Sequence, residues 1–271
     1  MKLTLNEINF LKSKFLEASE KVLDIYNSNF EVSYKMDKSP LTLADLTANE
    51  ILFSALRTLF PNDFIVSEEM KEKPQTKLPN QFWLIDPIDG TKEFVNKTGD
   101  FTLNIGWVQE SLPMWGMIYA PVYQEMYYGG IEYGVTYEKN GMLQPIVVKP
   151  QKEIIALVSR NHTSGKEDII LQELQVTQKI KMGSSLKICK LATHQADIYL
   201  RLGQTSEWDI APAHALLLAN HGDIFTSYGK LRYGKPSLNN PPLLALSANF
   251  LQKISDWNSF QNKILTKLTE S

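Results

Sequence analysis

The chain has 271 residues, 43% of them hydrophobic, with 28 Lys and Arg against 30 Asp and Glu and a formal charge of −2. That apolar fraction supports a true core and excludes a largely disordered chain, while the near balance of charge argues against a generic nucleic-acid binder. One cysteine, Cys189, excludes an intramolecular disulfide and a cysteine-rich zinc site, and it fits a reducing compartment.

The opening Met1-Lys2-Leu3-Thr4-Leu5-Asn6-Glu7 turns acidic at once and predicts no targeting signal. No stretch approaches the ~18 apolar residues that a membrane-spanning helix needs. The expectation is a soluble, cytoplasmic globular protein. Ile8, Leu11, Phe15, Ala18, Val22 and Tyr26 fall three or four apart and predict a helix, with Asn6 as its cap. A second helix is expected from about Thr42 to Leu59, with Leu52, Leu56 and Leu59 on its apolar face and Pro61-Asn62-Asp63 ending it.

Strands are expected at Phe64-Ile65-Val66 and at Phe82-Trp83-Leu84-Ile85, the latter stopping at Asp86; residues 71–80 between them read as a loop. Phe101 to Val108, Trp115 to Tyr119, Tyr127-Tyr128 and Val135-Thr136-Tyr137 read as antiparallel strands. A boundary is placed near Asn140 to Pro150, dividing the chain into 1–148 and 149–271. Beyond it come a strand at Ile154 to Val158, helices at about Lys166–Leu174 and Ser185–Gln195, and a strand at Asp197–Leu202. A helix over Asp209–Asn220 carries Pro212 in its first turn and Gly222 just past its end. Ile224-Phe225 is strand-like, Asn239-Asn240-Pro241-Pro242 reads as a turn, and residues 250–268 predict one amphipathic helix. Mixed strands and helices throughout give an α/β (α+β) class.

Three segments place carboxylates at element ends: Ser67-Glu68-Glu69, Asp86-Pro87-Ile88-Asp89-Gly90-Thr91 and Glu207-Trp208-Asp209. In the second, an apolar strand delivers Asp86 to a sheet edge, Pro87 holds Asp86 extended, and Asp89 follows across a tight bend. Two carboxylates in so short a bend repel unless a cation, lysine or arginine compensates them. Hard oxygen ligands in this number suit Mg²⁺, with the Ile88 carbonyl available as a further ligand. The Gly90 and Thr91 N–H groups would point at a bound anion. Taken alone, Asp-Pro-x-Asp-Gly is also an ordinary turn; the Glu pair upstream and the Trp-Asp downstream are what lift it above that.

With Trp208-Asp209-Ile210-Ala211-Pro212-Ala213, these strings resemble the three signatures of the inositol monophosphatase superfamily of Mg²⁺-dependent, Li⁺-sensitive phosphatases, over about residues 5–245. The longer string Asp86 to Phe94 (DPIDGTKEF), the segment Ser39 to Asp45 (SPLTLAD) and Gly183 to Lys187 (GSSLK) resemble its bacterial 3′(2′),5′-bisphosphate nucleotidase branch. Inositol monophosphatases usually carry Thr-Thr-Asn-Phe after the Asp-Gly, and here Thr91-Lys92-Glu93-Phe94 stands instead.

The resemblance implies a layered α-β-α-β-α fold, a metal-binding half (1–148) and a substrate-selecting half (149–271). Glu68, Asp86, the Ile88 carbonyl, Asp89 and Asp209 would hold two to three Mg²⁺ ions, and Glu69 would stand behind them. Thr91 with Glu68 would orient the attacking water, and Asp45 would order the surrounding lysine and metal periphery. Gly90, His162, Ser184, Lys187 and Arg201 would join Glu68, Ile88, Asp89, Thr91 and Asp209 around the nucleotide. Lysine and arginine are apt donors for a second phosphate, although either residue alone is more often an ordinary surface charge.

The implied activity is removal of the 3′-phosphate of adenosine 3′,5′-bisphosphate. The sulfate-activated form of that nucleotide would be a second substrate. Rival readings are an inositol-phosphate or sugar-bisphosphate phosphatase, and a non-catalytic nucleotide sensor. The expected partner is a small-molecule nucleotide, with no nucleic acid and no protein partner, in a monomer or homodimer. Peripheral inner-membrane association is carried only by the resemblance.

Other signals lead elsewhere. Gly229 to Pro236 nearly spells a P-loop, but Pro236 stands where Ser or Thr must reach Mg²⁺. Ser159 and His162 lack a nucleophile elbow and an acid partner. His214 and Cys189 read as structural, and the Trp257 stripe as a face packed on its own chain.

Overall fold

The computed structural model describes residues 2–34, 40–70, 74, 78–148, 153–160 and 165–269. Helix α1 (Leu5–Tyr26) opens on a capping box. Thr4 rather than Asn6 is its cap, because Glu7 reaches back to the Thr4 N–H at 2.6 Å. A short ladder pairs β1 (Ser33–Tyr34) with β2 (Pro40–Leu41), and α2 (Leu43–Leu59) follows with Thr42 as cap.

The next strands are β3 (Ile65–Ser67) and β4 (Gln81–Asp89); after the five-residue helix α3 (Thr91–Val95) come β5 (Thr102–Gln109), β6 (Leu112–Ala120), β7 (Glu125–Gly130), β8 (Gly134–Lys139) and β9 (Met142–Leu143). Strands β3 to β9 form a seven-stranded sheet in sequence order, parallel only between β3 and β4. Strand β4 does not stop at Asp86 as its apolar run suggests. It continues to Asp89 through a register shift, so Asp86 faces Asn104 and Asp89 faces Thr102. A bulge of this kind bends the strand and re-aims its side chains.

The second half brings β10 (Ile155–Val158), α4 (Gly165–Glu173), β11 (Gln178–Lys181), α5 (Leu186–Ala192), β12 (Ile198–Arg201) and β13 (Thr205–Ser206). Helix α6 (Glu207–Ala219), β14 (Asp223–Thr226), β15 (Gly229–Lys230), β16 (Asn239–Asn240) and β17 (Leu243–Leu246) complete it. A six-stranded mixed sheet runs β11-β10-β12-β17-β14-β15. Strand β11 carries no sequence signal, since all four of its residues are exposed. The expected turn at 239–242 instead supplies β16, paired with β13. Helix α6 starts at Glu207, two residues before the expected position, which moves Pro212 into its second turn. The expected single helix over 250–268 is three pieces: α7 (Ala248–Leu251), α8 (Trp257–Lys263) and a 3₁₀ turn at Leu265–Lys267. Asp256 caps the middle piece by accepting from Ser259 N–H at 3.0 Å, which starts a new helix inside the apolar stripe.

Side-chain alternation along the strands sorts these elements into layers. In β4, Trp83 and Ile85 join α1 and α2 in one core, while Phe82 and Leu84 join α5 and α6 in the next. In the second sheet, Leu157 and Tyr199 face α5 and α6, while Ala156, Val158, Ile198 and Leu200 face α4 and the C-terminal segments. The order is therefore α-β-α-β-α, as expected. The 148/149 division adjoins residues outside the described set. No helix among the described residues is long and apolar enough to cross a membrane.

Candidate active site

The ends of β3, β4, β12 and α6 meet around one cleft of about 640 Å³. Glu68 follows β3, and its N–H donates to the Ile85 carbonyl at 3.0 Å, which sets it beside Asp86. Past Asp89 the chain turns through Gly90 at φ +91°, a conformation side chains rarely adopt, and Thr91 starts α3. From the opposite side, α6 presents Asp209 in its first turn, where a carboxylate oxygen accepts from Ser206 N–H at 2.8 Å. Its neighbour Glu207 turns away and accepts from the Gly234 and Lys235 N–H groups at 2.7 and 2.9 Å.

Of the residues singled out in the sequence, Glu68, Asp86, Ile88, Asp89, Gly90, Thr91, Ser184, Lys187, Arg201 and Asp209 all line this cleft. Asp45 stands behind it. One of its oxygens accepts from the Thr42 N–H and hydroxyl, at 2.8 and 2.7 Å, and the other accepts from the Thr91 hydroxyl at 3.4 Å. The Thr91 hydroxyl is thus one of its partners. Glu69 is not part of the wall. His162 lies outside the described residues, whereas Ser159 of the same segment does reach the cleft.

Like charges crowd the acidic wall. Burial, reinforced by Glu68, Asp89 and Asp209, pushes the Asp86 carboxyl well above the carboxylate range. Asp209 is raised for the same reasons, by burial first and then by Asp89 and Glu68. Asp89 is pushed up to about 7 by burial, even though Lys187 and the Ser185 N–H pull it down. Asp86 comes within hydrogen-bonding reach of Glu68, and its Oδ1 is buried with no hydrogen-bond partner among the described residues. A buried carboxylate oxygen without a donor, set against like charges, fits a hard divalent cation. Among the described residues, no three acidic, imidazole or thiolate side chains close on one point as a cation cage by themselves. The structure therefore brings the carboxylates to one cleft and into electrostatic contact, without a defined coordination shell.

The facing wall is basic. Lys187 is buried, at 4% exposure, and so is no ordinary surface charge. Its ammonium donates to the Ser184 carbonyl at 2.8 Å and stands 5.0 Å from the centre of the Tyr199 ring. Burial lowers its pKa to about 8, against the pull of Asp89 and Glu93. Arg201 ends β12, donates to the Ser159 hydroxyl at 3.4 Å, and keeps a buried Nε with no partner among the described residues.

Sequence reasoning missed the polar floor between the walls. The Ser185 N–H donates to Asp89, and the Ser185 hydroxyl bonds Thr102 and Asn104, each at 2.9 Å. Thr102 and Asn104 sit inside a strand that reads as plain sheet, and only the β4–β5 register brings them here. The remaining signals resolve as structural. His214 is buried between Tyr233 and Asp223, at 2.9 and 3.1 Å, and Cys189 is a buried thiol raised by burial. Trp257 packs on Phe225 and Phe260 of its own chain.

A profile of the inositol monophosphatase family matches residues 6–260. The chain is 37% identical over 216 residues to the 3′(2′),5′-bisphosphate nucleotidase CysQ of Salmonella typhimurium, covering 79% of this chain and 87% of that protein. To the 3′(2′),5′-bisphosphate nucleotidase CysQ of Haemophilus influenzae it is 31% identical over 270 residues, covering 95% and 98%. The crystal structure of CysQ from Bacteroides thetaiotaomicron superposes with a TM-score of 0.77 at 30% identity, over 90% of this chain and 97% of that one. The Thermotoga maritima inositol monophosphatase, at 19% identity and a TM-score of 0.76 over 97% and 100% of the two chains, shares the fold.

Proposed function

Since the chain belongs to the inositol monophosphatase family, a family of metal-dependent enzymes, we propose that it is a 3′(2′),5′-bisphosphate nucleotidase. It hydrolyses the 3′-phosphate of adenosine 3′,5′-bisphosphate to give AMP and phosphate, and it takes the sulfate-activated form of that nucleotide as well. One observation carries this reading: the carboxylates of buried Asp86 and half-buried Asp89 and Asp209 share one cleft with the buried cation Lys187 and half-buried Arg201. An acidic wall that takes cations suits the phosphate to be cleaved, and a basic wall suits a second phosphate that stays.

Glu68, Asp86, the Ile88 carbonyl, Asp89 and Asp209 are the groups that would hold Mg²⁺, in two or three positions. Bound there, Mg²⁺ neutralises charge on the phosphate and makes water a stronger acid. The chain supplies the positioning. The Thr91 hydroxyl donates to the Ile88 carbonyl at 3.2 Å or to Asp45 at 3.4 Å. With its hydrogen so engaged, its lone pairs accept a hydrogen bond from the attacking water and aim the water oxygen at phosphorus. As the new P–O bond forms, the bond from phosphorus to the 3′ oxygen breaks, the water gives up one proton, the 3′ oxygen takes one up in balance, and inorganic phosphate leaves. Lys187 and Arg201 hold the 5′-phosphate and fix the ester relative to the acidic wall.

Phosphate release is measured from adenosine 3′,5′-bisphosphate, nucleoside 3′-monophosphate and inositol monophosphate, with and without Mg²⁺. The expected outcome is Mg²⁺-dependent turnover with the bisphosphate preferred by at least about tenfold, one charge-assisted phosphate contact's worth. Equal turnover of inositol monophosphate would defeat the nucleotidase reading and favour the broader phosphatase. Absence of turnover on every substrate, with tight nucleotide binding, would favour the sensor.

A further inference from the structure

Asp100 lies outside the acidic wall, on the loop between α3 and β5, and is only 1% exposed. Its Oδ2 accepts from Arg160 Nε at 2.6 Å and from the Gly183 N–H at 2.9 Å, and its Oδ1 accepts from the Tyr123 hydroxyl. Burial alone would raise this carboxyl, but the Arg160, Tyr123 and Gly183 donors outweigh it and hold it below the carboxylate range.

The donors come from three places. Tyr123 belongs to the β6–β7 turn of the first sheet. Arg160 follows β10 and is next to the cleft-lining Ser159. Gly183 enters the turn that carries Ser184, Ser185 and Lys187. The backbone is equally engaged: a Cβ at Gly183 would stand 2.7 Å from the Asp100 carbonyl oxygen, and one at Gly90 would stand 3.0 Å from it. Asp100 is therefore wedged between the bend that follows Asp89 and the turn that leads to Lys187. From Gly183 the chain passes through Ser184 at φ +51°, gives the Ser185 N–H to Asp89, and offers the Ser184 carbonyl to the Lys187 ammonium.

We propose that Asp100 is a positioning residue: it sets the separation between the acidic wall and the Ser159–Arg160 and Gly183–Lys187 segments, and so sets the preference for a nucleotide with two phosphates over one with only the scissile phosphate. This rests on the nucleotidase reading. A charged buried anchor shared by two segments transmits a small displacement to both, and an ångström of misplacement is enough to affect a two-point substrate.

The test compares kcat/KM for adenosine 3′,5′-bisphosphate and adenosine 3′-monophosphate in the wild type and in Asp100→Asn, with thermal unfolding of both proteins. The expected result is a fall of about tenfold in the bisphosphate-to-monophosphate ratio, carried mainly by the KM of the bisphosphate. Arg160→Gln and Tyr123→Phe each remove one arm and are expected to lower the ratio less, so the idea remains testable if Asp100→Asn does not fold. A lower melting temperature with an unchanged ratio in all folded variants overturns it, as does an equal loss on both substrates. A wild type that shows no preference for the bisphosphate overturns the nucleotidase reading itself, and the two failures are told apart by which protein shows them.

Discussion

On one side of the cleft, Asp86 and Asp89 ride the end of an inner strand of the first sheet, with Glu68 and Asp209 brought against them from β3 and α6. On the other side, Lys187 sits in the first turn of α5, its ammonium bonded to the carbonyls of Ser184 and Met182 at 2.8 and 3.3 Å. Both walls bury charge, but the Lys187 ammonium is anchored on two carbonyls, whereas Asp86 Oδ1 is buried without a donor among the described residues. The acidic wall raises the pKa of its own members by burial and mutual repulsion, so without a cation it works against folding. The difference separates two tasks. A wall that needs an external cation is suited to reaction, and a wall whose cation is already anchored is suited to selection.

The sharpest way to break that contrast is Asp89→Asn. Turnover on the bisphosphate at saturating Mg²⁺ is expected to fall by about 10³, since the amide binds a hard cation poorly. The melting temperature without metal is expected to hold or rise, because one buried like charge is gone. The rise that Mg²⁺ gives the wild type should shrink in the variant. Unimpaired turnover would remove Asp89 from the metal set.

Lys187→Met probes the opposite wall. Methionine keeps the length and the contact with the Tyr199 ring, and loses the charge. The kcat/KM for the bisphosphate is expected to fall by about 10², and that for the 3′-monophosphate by much less. Parallel losses on both substrates, measured by steady-state kinetics, would place Lys187 at the cleaved phosphate and dissolve the two-wall division.

A network beneath the basic wall ties it to the first sheet. Glu125 of β7 accepts from Lys190 of α5 at 2.8 Å, from Tyr127 at 2.6 Å, from Tyr137 at 3.0 Å and from Lys139 at 3.1 Å. Burial opposes its ionisation, but the hydrogen bonds from Lys190 and Tyr127 win and lower its pKa from 4.5 to about 2. A carboxyl whose pKa is lower in the folded chain than in the unfolded one stabilises the fold above the unfolded value. That contribution is lost as pH falls from about 4.5 towards 2. Glu125→Gln is expected to cost about 2 kcal/mol at neutral pH, and to flatten the dependence of stability on pH across that acid window, read by denaturant unfolding. An acid dependence identical to the wild type would show that the network does not fix α5.

How much of this was legible depended on the kind of signal. The Asp86–Thr91 string and the Trp208-Asp209 pair announced themselves because hard-ligand chemistry needs particular residue types at short spacing, and Asp86, Ile88, Asp89, Gly90, Thr91 and Asp209 line the cleft. The helices α1 and α2 were legible from their apolar periodicity, but the cap of α1 fell at Thr4 because Thr4 and Glu7 satisfy each other's N–H groups. What stayed hidden depends on register or long-range contact. Strand β11 is fully exposed and has no alternation to read, and β4 looks finished at Asp86 because a bulge is invisible in composition. Asp100 and Arg160 lie 60 positions apart and look like ordinary surface charges, while Lys187 looked exposed and is buried. Chemistry packed into a short motif is readable, and chemistry assembled across two sheets is not.

The smallest change is the most discriminating between charge and shape. Arg201→Lys keeps the positive charge at the end of β12 and removes the planar fork. In the structure one terminal nitrogen is held by the Ser159 hydroxyl, at 3.4 Å, and the buried Nε has no partner among the described residues. That arrangement favours a donor set that grips two phosphate oxygens at once rather than a point charge. The KM for the bisphosphate is expected to rise about fivefold, with a smaller rise for the 3′-monophosphate. Were lysine to serve equally well, the basic wall would select by charge alone, and the geometry of β12 would matter only for bringing that charge within reach.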